Sequence, residues 1–116
     1  MSNGKPTFTL KEERMNSSNM LKQIIVMTNR GEYQDALKLV EFLDTSSLNP
    51  DELVQYLFYK GSLLYSVERI IEAFDCIREA KRLRPGDKDI SSTLDLFTRT
   101  EIALYKKKFK VRFDWM

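Results

Sequence analysis

Apolar residues along this chain recur every three or four positions through most of its length, which is the period of a helix that buries one face. Met20, Ile24 and Met27, with Leu21 and Ile25 beside them, predict a first helix that begins among the capping candidates Asn16 to Asn19. Asn29-Arg30-Gly31 predicts its end, with Gly31 free to take a left-handed C-cap. A second helix carries Tyr33, Ala36, Leu37, Val40 and Leu43 on one stripe, and Asp44 to Ser47 read as a loop. Asn49-Pro50-Asp51-Glu52 predicts a third helix start: Asn49 caps, Pro50 suits the first helical position, and Glu52 can reach back. That helix runs to about Ser66. A fourth is expected from about Glu68 to Leu83, stopped by Pro85-Gly86, with Ile70, Ala73, Phe74, Ile77 and Ala80 on one face. Asp87 caps a fifth, from Lys88 to about Lys107.

Both ends depart from this period. Lys5 to Lys11 alternates polar and apolar residues behind Pro6, so residues 1–15 are expected to be extended. Residues 108–116 alternate strictly, with Phe109, Val111, Phe113 and Trp115 on one side. A helix would scatter these four around its circumference, so a strand is expected there. The fold class is therefore all-α, about five helices in two hairpins and a closing helix, with short strands at the termini. The expected units are 16–48, 49–86 and 87–107, flanked by 1–15 and 108–116.

The two hairpins repeat. Ala36, Val40 and Leu43 correspond to Ala73, Ile77 and Ala80 at a constant offset of 37 residues. In the second unit, Leu57, Gly61, Leu64, Ala73, Ile77, Ala80, Leu83 and Pro85 stand at the spacing of the tetratricopeptide repeat, which the chain resembles over roughly residues 17–86. The first unit matches through Gly31-Glu32-Tyr33-Gln34-Asp35-Ala36-Leu37, carries Ile24 where the family places a small residue, and is longer before Pro50. The resemblance implies a helical-hairpin solenoid closed by a solvating helix, with Ser91, Ser92, Asp95, Thr98, Arg99 and Glu101 on its wet side. It also implies a groove lined by the first helix of each pair. Leu21, Ile25, Gln55, Phe58, Tyr59, Ser62 and Tyr65 are the residues this places along it. They are apolar and aromatic. Lys22 and Asn29 alone do not make the carboxylate clamp of chaperone-binding members, so an amphipathic or extended hydrophobic peptide is the expected ligand.

Composition narrows the chemistry. The 116 residues carry 19 Lys and Arg against 17 Asp and Glu, a formal net charge of +2, which makes no whole-chain case for nucleic acid. Histidine is absent, which removes the usual general base and the commonest zinc ligand. One cysteine, Cys76, forms no internal disulfide and reads as a small buried hydrophobe. There is no Gly-rich phosphate loop, and the pair Asp51/Glu52 reads as helix capping. No catalytic residue, metal site or cofactor is expected. The first residues lack an apolar signal core, and no apolar run is long enough to insert in a membrane. The expected role is a non-catalytic adaptor or scaffold, cytoplasmic or nuclear. It would hold a protein partner in the groove, or by strand addition along Phe109, Val111, Phe113 and Trp115, which would also allow a homodimer. Two alternatives remain. The run Lys106 to Arg112, with its aromatics, can bind nucleic acid. An organelle-surface adaptor resembling the mitochondrial fission receptor is the other, although that family anchors by a C-terminal membrane helix that this chain is expected to lack.

Overall fold

The computed structural model describes residues 17–109. Five α-helices follow one another: α1 (Ser17–Asn29), α2 (Tyr33–Phe42), α3 (Pro50–Ser66), α4 (Ile70–Leu83) and α5 (Lys88–Phe109), with a 3-10 turn at Thr45–Ser47. No strand occurs among the described residues. The expected N-terminal extended segment lies outside them, as do Val111, Phe113 and Trp115.

The expected strand cannot begin at Lys108. Lys108 and Phe109 continue α5 as helix. Neither Pro nor Gly interrupts the chain after Gly86, and Lys106, Lys107 and Lys108 sit in the last turn, where cations complement the negative end of the helix dipole. Local alternation of side chains lost to helix propagation.

The hairpin turns explain where the helices stop. Gly31 takes a φ of +81°. Its N–H donates to the Thr28 carbonyl at 3.1 Å, and the Glu32 N–H reaches the Met27 carbonyl at 2.9 Å. These two bonds form a Schellman motif, which satisfies the orphan carbonyls at the end of α1. The same motif closes α3, 37 positions later. Glu68 has a φ of +66°, its N–H donates to the Tyr65 carbonyl at 3.0 Å, and the Arg69 N–H to the Leu64 carbonyl at 2.9 Å. The fourth helix therefore starts at Ile70, the first residue of its apolar stripe and two residues after the expected start at about Glu68. The repeat places a tight turn near Val67-Glu68, as found; its left-handed conformation carries no sequence signal, because glutamate seldom takes a left-handed backbone.

The repeat is thus a property of the backbone. Tyr33 and Ile70 open the second helices and Asn29 and Ser66 close the first ones, each pair offset by 37. Ala36, Ala73, Ile77 and Ala80 are fully buried. Gly61 faces α4 so closely that a Cβ would lie 2.6 Å from Ile77 Cδ1, 2.7 Å from Ile77 Cγ1 and 3.2 Å from the Ala73 carbonyl oxygen. At the matching place in the first hairpin stands Ile24, fully buried, so that hairpin packs through a side chain where the second packs backbone to side chain.

One core runs through both hairpins and into α5. The third helix packs on α1, α2 and α4, and α5 closes over α4. Tyr56, buried, donates its hydroxyl to the Val40 carbonyl at 3.1 Å and so ties α3 to α2. The start of α3 is capped as its sequence predicts. Asn49 Oδ1 accepts from the Glu52 N–H at 2.8 Å, and Glu52 Oε1 accepts from the Asn49 N–H at 3.0 Å. The other Glu52 oxygen accepts from Ser18 Oγ at 2.5 Å, which joins the cap to α1. At the start of α5, Asp87 Oδ1 accepts from the Ile90 N–H at 3.0 Å.

Candidate binding groove

Helices α1, α3 and the start of α5 enclose a cleft of about 230 Å³, lined by Ile25, Val54, Gln55, Phe58, Tyr59, Asp87, Asp89 and Ile90. Each lining position follows from helical period. Gln55, Phe58 and Tyr59 are three and four apart on α3, so they share a face. Ile25 meets them because α1 packs on α3. The fifth helix enters because the Arg84–Asp87 turn, closed by the Asp87 N–H on the Arg84 carbonyl, brings its N-terminus back over α3. Phe58 and Tyr59 pack edge to face at 5.5 Å between centroids, a geometry that fixes both rings. Both rings are half-buried, which leaves apolar surface for a ligand. The rim is acidic: Asp87 and Asp89 are exposed at the first turn of α5.

Four of the seven expected groove residues therefore converge: Ile25, Gln55, Phe58 and Tyr59. The other three are already engaged within the molecule. Leu21 is 2% exposed and belongs to the core. Ser62 donates its hydroxyl to the Phe58 carbonyl one turn back at 3.0 Å. Tyr65 stacks flat on Phe97 of α5, with centroids 3.9 Å apart and an interplanar angle of 7°, and donates its hydroxyl to Glu101 Oε2 at 2.7 Å. Burial, then the bond to Glu101, pushes the Tyr65 phenol above its ordinary value. Tyr65 is thus a clasp between α3 and α5 and not a free anchor. Periodicity placed Tyr65 on the same face as Phe58; it did not show that α5 would cover that end. Conversely, Val54, Asp87, Asp89 and Ile90 were not expected in the groove. Asp87 and Ile90 read locally as a cap and a core residue, which they also are.

A larger cleft of about 500 Å³ separates α2 from the α3–α4 hairpin, with Leu37, Val40, Leu53, Tyr56, Leu57 and Leu64 inside. Its charges are turned on one another. Arg69 makes a two-pronged bond to Glu72 at 2.9 and 2.7 Å, which holds the Glu72 carboxyl below its usual range and, with the field of Glu41, raises Arg69. Lys60 lies 5.7 Å from the Tyr56 ring centroid.

No group of three or more His, Cys, Asp or Glu side chains among the described residues could hold a metal ion. Cys76 is buried, and burial raises its thiol above the ordinary value, the opposite of an activated nucleophile. No described helix is long and apolar enough to cross a membrane. Comparison with known protein families, with curated proteins and with solved structures gives no match.

Proposed function

We propose that this chain is a small tetratricopeptide-like interaction module that holds a peptide in the α1–α3–α5 groove and performs no chemistry itself. The convergence of Ile25, Phe58 and Tyr59 from two helices into one cleft is the observation that carries this reading. Two further features support the family reading: the 37-residue hairpin offset kept by the backbone, and the close approach of Gly61 to Ile77 and Ala73. The ligand class follows from the lining. An apolar floor with aromatic edges takes a hydrophobic side chain, and Asp87 and Asp89 at the rim favour a neighbouring Lys or Arg over an acidic tail. The role is that of an adaptor or scaffold.

The test is selection from a random peptide library on the folded protein, followed by calorimetry with the selected peptides. Apolar sequences with a flanking basic residue should emerge. Phe58→Ala should weaken them at least about tenfold, the size expected of an aromatic anchor at an interface. If folded Phe58→Ala and Ile25→Ser proteins bind the same peptides with unchanged affinity, the groove is not the binding surface.

A further inference from the structure

The far end of α5 has a character that neither the core nor the groove explains. Its core stripe runs through Ile90, Phe97 and Leu104 at seven-residue steps; Ile90 and Phe97 are buried, while Leu104 is 54% exposed. The reason is length. Helix α5 has 22 residues and α4, on which it packs, has 14. A short turn joins the two, so α5 outruns α4 by about eight residues, or about 12 Å. Tyr65 holds α5 at Phe97 and Glu101, and past that clasp every side chain from Ala103 to Lys108 is exposed.

This tip is cationic out of proportion to the chain. Five of the 19 Lys and Arg fall in the seven residues 106–112, which hold no Asp or Glu; the other 109 residues carry 14 Lys and Arg against 17 Asp and Glu, a formal charge of −3. Charge divided in this way marks a segment that meets a polyanion. Within the helix, Lys106, Lys107 and Lys108 follow one another at steps of about 100°, so positive charge surrounds the tip. Exposed Leu104 and Tyr105 stand among them.

Composition selects among polyanions. Four of the five cations are Lys and one is Arg; the guanidinium fork is the group that recognises nucleic acid, whereas the lysine ammonium is a point charge that suits a diffuse anionic surface. The aliphatic Leu104 and Val111 have no ring face on which a base could stack, while Leu, Phe and Trp beside Lys is the mixture of segments that rest at a membrane interface. We propose that the end of α5, from Leu104 to Lys108 with the basic residues that follow, is a peripheral docking site for an anionic lipid surface. The contact rests on the bilayer without spanning it, since no described helix is long and apolar enough to cross. Asp87 and Asp89 lie at the opposite end of α5, about 30 Å along the helix, so the peptide groove stays clear of the surface.

The test is binding of the full chain to vesicles of phosphatidylcholine alone and of phosphatidylcholine with phosphatidylserine in equal parts. Trp115 is the chain's one tryptophan, so its fluorescence reports on this end. The protein should sediment with the phosphatidylserine vesicles and not with the neutral ones, and Trp115 emission should move to shorter wavelength. Raising the salt from about 0.1 to about 1 M cuts the screening length from about 10 to about 3 Å and should release the protein. Lys106→Gln, Lys107→Gln and Lys108→Gln together should weaken binding about a hundredfold, at about fivefold per lysine, with an unchanged helical spectrum because all three are exposed. Replacing the same three by Arg should retain it. No binding to phosphatidylserine vesicles at low salt overturns the proposal, as does equal binding to neutral vesicles or full binding by the triple Gln variant. Poly-uridine RNA that binds where vesicles do not, or that displaces them at equal charge concentration, assigns the tip to nucleic acid and overturns it as well.

Discussion

Gly61 is the position where one methyl group tests the packing of the second hairpin. Adding a Cβ there would place it 2.6 Å from Ile77 Cδ1 and 2.7 Å from Cγ1, about 1 Å inside ordinary carbon contact. Ile77 is fully buried, so it cannot swing out into solvent. The nearby Ala73 carbonyl oxygen, at 3.2 Å, is backbone and cannot move by itself. Overpacking of this kind costs about 1–3 kcal/mol. Against it, replacing Gly by Ala inside a helix contributes about 0.5–1 kcal/mol of stability. The net expectation for Gly61→Ala is a loss of about 1 kcal/mol, with overpacking the larger effect. In an Ile77→Ala background the obstruction is gone, the added methyl enters the vacated space, and the same substitution should stabilise by about 1 kcal/mol. Urea unfolding followed by circular dichroism on the four proteins of this cycle measures the difference. A coupling of about 2 kcal/mol between positions 61 and 77 is expected. If Gly61→Ala instead stabilises by the same amount in both backgrounds, the close helix crossing is wrong.

Other consequences are as open to measurement. Glu68→Gly should stabilise by about 0.5–1 kcal/mol in urea unfolding, because Glu68 holds a left-handed backbone that glycine adopts freely, while Gly31→Ala should cost about 1 kcal/mol; a destabilising Glu68→Gly or a stabilising Gly31→Ala would contradict the twin Schellman turns. Ala73→Asp should leave no cooperative thermal transition, since Ala73 is fully buried and an unpaired buried charge costs several kcal/mol against a total of about 5–15 kcal/mol. Acid should weaken the α1–α3 junction. The Ser18 hydroxyl and the Asn49 N–H hold the Glu52 carboxyl below its ordinary value of 4.5, so its contribution is present above that pH and is lost as the pH falls through the lower folded value; Glu52→Gln should flatten this part of the stability–pH curve, and an unchanged curve would remove the role of the cap.

The sequence by itself determined the helices, the repeat and the principal cap. Tyr33, Ala36 and Val40, and later Ala73, Ile77 and Ala80, define amphipathic faces whose period leaves little choice of local structure, and Asn49-Pro50-Asp51-Glu52 specifies its own hydrogen bonds within four residues. Such features are short-range, so composition and spacing carry them. The turn near Val67-Glu68 was legible from the repeat, but its left-handed backbone at Glu68 was not, because that is imposed by the two helices it joins and not by its own side chain. The end of α5 was not legible either: alternation from Lys108 argued for a strand, and helix propagation through Phe109 prevailed. The groove divides in the same way. Gln55, Phe58 and Tyr59 share a face because they share a helix, and the sequence shows it. That Ile25 and Ile90 meet them, that Leu21 sinks into the core, and that Phe97 takes Tyr65 depend on how three helices separated by dozens of residues pack. Only tertiary structure decides this, because burial is settled by which apolar faces find each other, and a periodic stripe records that it needs covering without naming what covers it.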